Sequence, residues 1–169
     1  RDLHLCDRRQ RQMCIRDRYK DRAEIRLFLG DHKGALNDFI NSDLISFSDN
    51  LKVAMLFKVA GNYKEAMNYC NAMLNQDPFA YAGFACMAEI YLSVDRPDVA
   101  LRVWNLALDR NKNNPRAYVD RALVKKAMGD LSGYNTDLKL AREYSPAISE
   151  EDSIIEDSLH PKILALSVR

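Results

Sequence analysis

The residues of this 169-residue chain that could do chemistry are few and poorly placed for it. Three histidines, His4, His32 and His160, and four cysteines, Cys6, Cys14, Cys70 and Cys86, are the candidate bases, nucleophiles and metal ligands. None of the histidines stands three or four residues from a Cys or Ser, and none has a carboxylate at helical spacing that would make a catalytic pair with it. No Cys-x-x-Cys pair and no Cys/His ligand spacing occurs, so neither a zinc site nor a dithiol redox centre is expected. Gly129-Asp130-Leu131-Ser132-Gly133 looks like a phosphate loop, but Gly30-Asp31-His32-Lys33-Gly34 repeats it at the same internal position, which makes both of them turns. Glu150, Glu151 and Asp152 follow Ser149 as acids follow a helix cap, a commoner arrangement than a metal site. No enzyme, no cofactor and no metal are expected.

What these residues sit on is a repeat. Small residues recur at Ala23, Ala54, Ala88 and Ala122, turn residues at Gly30, Gly61, Asp95 and Gly129, and a second packing position at Ala35, Ala66, Ala100 and Tyr134. All three series step by 31, 34 and 34 residues, so three residues are missing where repeat one joins repeat two. A bulky position reads Tyr19, Asn50, Phe84, Tyr118, and Pro78 and Pro146 close two of the units. In this spacing the chain resembles the tetratricopeptide repeats over residues 16–146. The resemblance implies an all-α fold, a right-handed superhelical α-solenoid of antiparallel helix pairs, with a non-enzymatic role in holding a protein or peptide partner in its concave groove.

The expected organisation is an N-terminal segment 1–18, four hairpins over 19–146, and a C-terminal cap or tail over 147–169. The first eighteen residues carry six Arg and three Asp; without them the formal net charge falls from +1 to −2. This segment is expected to be non-native or disordered, QMCIRDR resembling translated sequencing adaptor, with a basic arm for phosphates as the alternative. The remaining body is not basic and interleaves no aromatics with Lys or Arg, so no nucleic-acid partner is expected. No apolar run reaches the length of a membrane span, and composition is that of a soluble globular domain. The compartment stays open, because a truncated N-terminus could have lost a signal peptide. In the tail, Ile154, Ile155, Leu159, Ile163, Leu164 and Val168 make either a cap over the last repeat or a segment docked in the groove.

One pair of positions predicts how each hairpin closes. The large helix A residue is Arg22, Val53, Met87 or Arg121, and the residue sixteen further on is Asp38, Tyr69, Val103 or Asp137. Arg always meets Asp and apolar always meets apolar. Salt bridges Arg22–Asp38 and Arg121–Asp137, and packing of Val53 on Tyr69 and Met87 on Val103, are therefore expected. Cys70 falls at the helix B position of Phe39, Trp104 and Leu138 and reads as a small buried hydrophobe, whereas the register of Cys86 points toward the groove.

The family register implies a groove wall drawn from the first helix of each repeat. Repeat one contributes Asp17, Lys20, Asp21, Glu24 and Leu27, and repeat two Ser48, Leu51, Lys52, Met55 and Lys58. Repeat three supplies Ala82, Ala85, Cys86, Glu89 and Leu92, and repeat four Arg116, Val119, Asp120, Leu123 and Lys126. An apolar centre around Leu51, Met55, Ala82 and Ala85, flanked by Lys52 and Lys126, is expected to take an apolar or aromatic anchor. The related clamp for C-terminal carboxylates is matched by Lys20 but needs Asn, Asn, Lys and Arg where this chain has Glu24, Lys52, Ala82 and Cys86, and it is not expected. The alternative role is a structural or regulatory segment of a longer repeat protein, with self-association through the solenoid ends.

Overall fold

The computed structural model describes the backbone of residues 3–42 and 46–145, and the side chains from residue 15 onward. The expected tail over 147–169 lies outside the described residues. Eight helices follow one another among the described residues: α1 (Leu3–Phe28), α2 (His32–Asn41), α3 (Phe47–Val59), α4 (Tyr63–Gln76), α5 (Tyr81–Ser93), α6 (Pro97–Arg110), α7 (Pro115–Ala127) and α8 (Leu131–Tyr144). They group into two compact units, Arg1–Ala72 and Met73–Arg169, with the division falling inside α4.

Local sequence dictates where the first helix of each hairpin stops. Gly30, Gly61, Asp95 and Gly129 all have positive φ, between 58° and 85°. The residue after each one donates its N–H to a carbonyl five positions back: Asp31 to Arg26, Asn62 to Phe57, Arg96 to Tyr91 and Asp130 to Lys125, at 2.9–3.0 Å. This left-handed closure satisfies the last carbonyls of the helix and reverses the chain into the next one. Asp95 shows that the position tolerates a short polar side chain where three repeats use glycine. Helix starts are capped as well. Asp31 and Asp130 accept the N–H of Gly34 and Gly133, Ser46 and Asp49 form a reciprocal capping box, and Asn114 accepts the N–H of Ala117 behind Pro115.

The small residues of the repeat let the helices approach. Ala23, Ala54, Ala88, Ala122, Ala35, Ala66 and Ala100 are all buried. In Arg1–Ala72 the core gathers Ala23, Ala35, Phe39, Val53 and Leu56, with Tyr69 and Phe57 packed on it. In Met73–Arg169 it gathers Phe84, Ala88, Leu92, Val103, Trp104, Tyr118, Val124 and Ala141. The three residues missing at the first junction correspond to a shortened α2, which has 10 residues where α4, α6 and α8 have 14. Ser42 caps it while remaining buried, at the position that Met73, Ala107 and Ala141 fill later.

In the segment over 1–18, expected to be non-native or disordered, the backbone is helical from Leu3 and continuous with repeat one. Arg, Gln, Leu and Met have high helix propensity, and no Gly or Pro interrupts the stretch before Gly30.

Each hairpin closes as its sequence pairing predicts. Arg22 donates from Nε and Nη2 to the two oxygens of buried Asp38, both at 2.7 Å. Arg121 does the same to Asp137 at 2.8 and 2.6 Å. Val53 and Tyr69 share one core cluster, Met87 and Val103 the other. A third position completes each set. Arg26 donates to Asp38 at 2.7 Å and Lys125 lies 2.9 Å from Asp137, while Phe57 stacks on Tyr69 with ring centroids 5.6 Å apart. The hydrogen bonds from Arg22, strengthened by the charge of Arg26, hold the Asp38 carboxyl below its ordinary range despite burial.

Candidate interaction surface

In Arg1–Ala72 three of the expected wall residues, Lys20, Glu24 and Lys52, are held in ion pairs. Lys20 of α1 donates to Asp49 of α3 at 2.8 Å, and Lys52 of α3 donates to Glu24 of α1. Asp49 is buried, which raises its carboxyl, but hydrogen bonds from Lys20 and from the hydroxyl and N–H of Ser46 bring it below the usual range. These two ion pairs join neighbouring first helices, and each leaves its ammonium already matched to a carboxylate. Beside them Leu51 is half-buried and Met55 is 47% exposed. The chemistry on offer here is an apolar contact with a locally neutralised polar border.

In Met73–Arg169 the register is partly corrected. Val119 and Leu123, expected on the open wall, are 1% and 2% exposed and belong to the core with Phe84, Trp104 and Ala141. Asp120 is buried too, accepting a hydrogen bond from the Tyr81 hydroxyl of α5. The physical reason is that α7 has neighbours on two sides, α8 and the α5/α6 hairpin, so seven of its thirteen residues are buried. A single-face pattern cannot anticipate that. Ala82, Ala85 and Glu89 are half-buried, and Lys126 is exposed, with its ammonium 5.2 Å from the centre of the Tyr134 ring.

Burial raises the Asp120 carboxyl to about 6; the Tyr81 hydrogen bond and the Arg116 charge work against that rise, and Glu89 adds to it. Burial likewise pushes the Tyr81 hydroxyl far up, so it acts as a donor throughout the physiological range. The Arg116 guanidinium lies over the Tyr81 ring, 5.1 Å from its centre. Tyr81 was not among the sequence-derived candidates. It pairs with Asp120 across 39 residues, five beyond the repeat interval, so repeat arithmetic holds no signal for it. Arg26 and Lys125, by contrast, were within reach of the same arithmetic that found Arg22 and Arg121.

Both cysteines of the body are buried and neither is a free thiol. The burial of Cys70 follows its helix B position, but its bonded state had no signal in the spacing. The groove-facing expectation for Cys86 is corrected by its burial. Among the described residues no three His, Cys, Asp or Glu side chains gather as a metal site would require. No described helix is long and apolar enough to cross a membrane.

No protein-family model matches the chain. The Arabidopsis thaliana TPR repeat-containing thioredoxin TDX is 27% identical over 81 residues, 48% of this chain and 21% of the relative. The chain thus spans only about a fifth of the length of the curated relatives it matches, which are 21% and 23% covered. The solved tetratricopeptide repeat protein from Parabacteroides merdae superposes with a TM-score of 0.65 at 14% identity, covering 90% of this chain and 65% of its own. The Yersinia enterocolitica type III secretion chaperone SycD, solved with a peptide of the translocator YopD, gives 0.52 at 17% identity, over 72% of this chain and 92% of the chaperone. The fold is an all-α helical-repeat solenoid.

Proposed function

We propose that this tetratricopeptide-repeat chain is a non-enzymatic interaction module that holds an apolar segment of a protein partner against its first-helix faces. The observation that carries this reading is the exposure of Met55 next to half-buried Leu51, bordered by Lys20–Asp49 and Glu24–Lys52. A flexible thioether on such a surface adapts to several apolar shapes. Lysines already matched to carboxylates have little to offer an anionic ligand, so an aliphatic or aromatic anchor fits better than a phosphate or a chain-terminal carboxylate. In the second unit Ala82, Ala85, Glu89 and Lys126 are the accessible counterparts. The peptide held by the fold neighbour SycD supports the reading in kind.

The test is selection of peptides from a random display library on the full chain, followed by affinity measurement on two variants. Selected peptides are expected to share a bulky apolar anchor and to lose at least about tenfold in affinity on Met55→Asp, since burying an aliphatic contact is worth about 1.5–3 kcal/mol. Leu106→Asp, at an exposed position on α6, is expected to leave affinity unchanged. Failure to enrich any peptide, or binding indifferent to Met55→Asp, overturns the reading.

A further inference from the structure

The side of a first helix that meets the preceding hairpin is identified twice. In α3 it is Asp49, Lys52 and Leu56: the first two bond to Lys20 and Glu24 of α1, and the third is buried with Ala23. In α7 it is Ala117, Asp120 and Val124: Asp120 bonds to Tyr81 of α5, and the other two are buried in the core with Phe84 and Ala88. Spacings of three and four residues make this a single stripe on each helix. Stepping back by the repeat intervals, the same stripe on α1 is Arg18, Asp21 and Ile25.

On α1 all three are exposed. Ile25 is 60% exposed where its equivalents Leu56 and Val124 are buried, and Phe28 beside it is 91% exposed. Ile15, one turn before Arg18, is also exposed. The stripe thus has the composition of a stacking surface, with apolar ends and a basic and an acidic residue between them. It also lies on a helix of 26 residues where α3, α5 and α7 have 13.

We infer that a second copy of this chain covers this face, the two α1 helices lying antiparallel about a two-fold axis. Charge decides the occupant and the direction. In antiparallel register about an axis near residue 20 of α1, Arg18 of each copy faces Asp21 of the other and Ile15 faces Ile25. Both contacts therefore fall in one register within a single residue, and the symmetry makes each of them twice. A parallel pairing would set Arg18 against Arg18 and Asp21 against Asp21, which repels. This inference rests on the uncovered stripe of α1 and is independent of the peptide-binding surface.

The experiment is sedimentation equilibrium of the full chain from micromolar to millimolar concentration, with circular dichroism confirming that each variant is folded. The parent is expected to dimerise reversibly, and Ile25→Lys to raise the dissociation constant at least about tenfold. Arg18→Asp and Asp21→Arg are each expected to be monomeric alone, by like-charge contact across the axis, and to form a heterodimer in an equimolar mixture. A parent that stays monomeric over the whole range overturns the inference. So does a dimer indifferent to Ile25→Lys and to both charge reversals.

Discussion

Replacing Asp137 with Asn should damage this protein far more than the loss of one surface ion pair would. Asp137 is 1% exposed and is held by Arg121 at 2.6 and 2.8 Å and by Lys125 at 2.9 Å. Neither cation reaches bulk water freely, their side chains being 16% and 18% exposed. The amide keeps the shape but removes the charge, leaving two partly desolvated cations side by side. Breaking such a pair from one side costs about 3–5 kcal/mol, against a total stability of about 5–15 kcal/mol for a domain. With a urea dependence of about 2 kcal/mol/M, the unfolding midpoint followed by circular dichroism should fall by about 1.5–2.5 M. The repeat supplies its own control. Repeat three solves the same problem with Met87, Tyr91 and Val103, so Arg121→Met, Lys125→Tyr and Asp137→Val together copy that solution into repeat four. The triple variant should stay within about 1.5 kcal/mol of the parent or exceed it, because a well-packed apolar set commonly matches a buried ion pair. A loss below about 1 kcal/mol for Asp137→Asn, or a triple variant as unstable as the single one, would refute the reasoning.

Two further outcomes follow from the same physical terms. Gly129 has φ +85° and open space around it, so Gly129→Ala should cost about 1–2 kcal/mol from backbone strain alone. Gly129→Asn should cost less, as Asp95 holds that conformation in repeat three, and equal costs in urea unfolding would disprove a conformational origin. The second concerns Asp120, whose carboxyl sits at about 6 in the folded protein, above its ordinary value of 3.8. The folded state therefore takes up a proton before the unfolded state does. Stability contributed by this group rises as pH falls through about 6 toward the unfolded value, and is lost as pH rises. The stability difference between parent and Asp120→Asn should accordingly shift in favour of the parent below pH about 6; a difference independent of pH would exclude this titration.

Much of the architecture was legible because one ruler governs every repeat. Ala23, Ala54, Ala88 and Ala122 had to be buried, since only small residues at a recurring position let helices pack closely, and they are. The positive-φ turns at Gly30, Gly61, Asp95 and Gly129 were readable for the same reason. So was the matching of Arg with Asp and apolar with apolar, because residues that face each other within a hairpin must satisfy each other locally. The wall was only partly legible. Lys20, Glu24 and Lys52 were expected on it as open charges, and their charges are matched to partners on adjacent helices. Val119 and Leu123 carry the same register as exposed or half-buried residues of earlier repeats and are nevertheless covered.

Repeat length, turn positions, hairpin cores and the charged or apolar character of each closure can all be read along the chain, because they depend on contacts within about one repeat. Which positions remain exposed, how Tyr81 reaches Asp120, and that α1 runs unbroken from Leu3 to Phe28 emerge only in the folded arrangement. Exposure depends on neighbours brought in from the next repeat. The same residue position is open at Ile25 and closed at Leu56 and Val124 for no reason present in its own side chain.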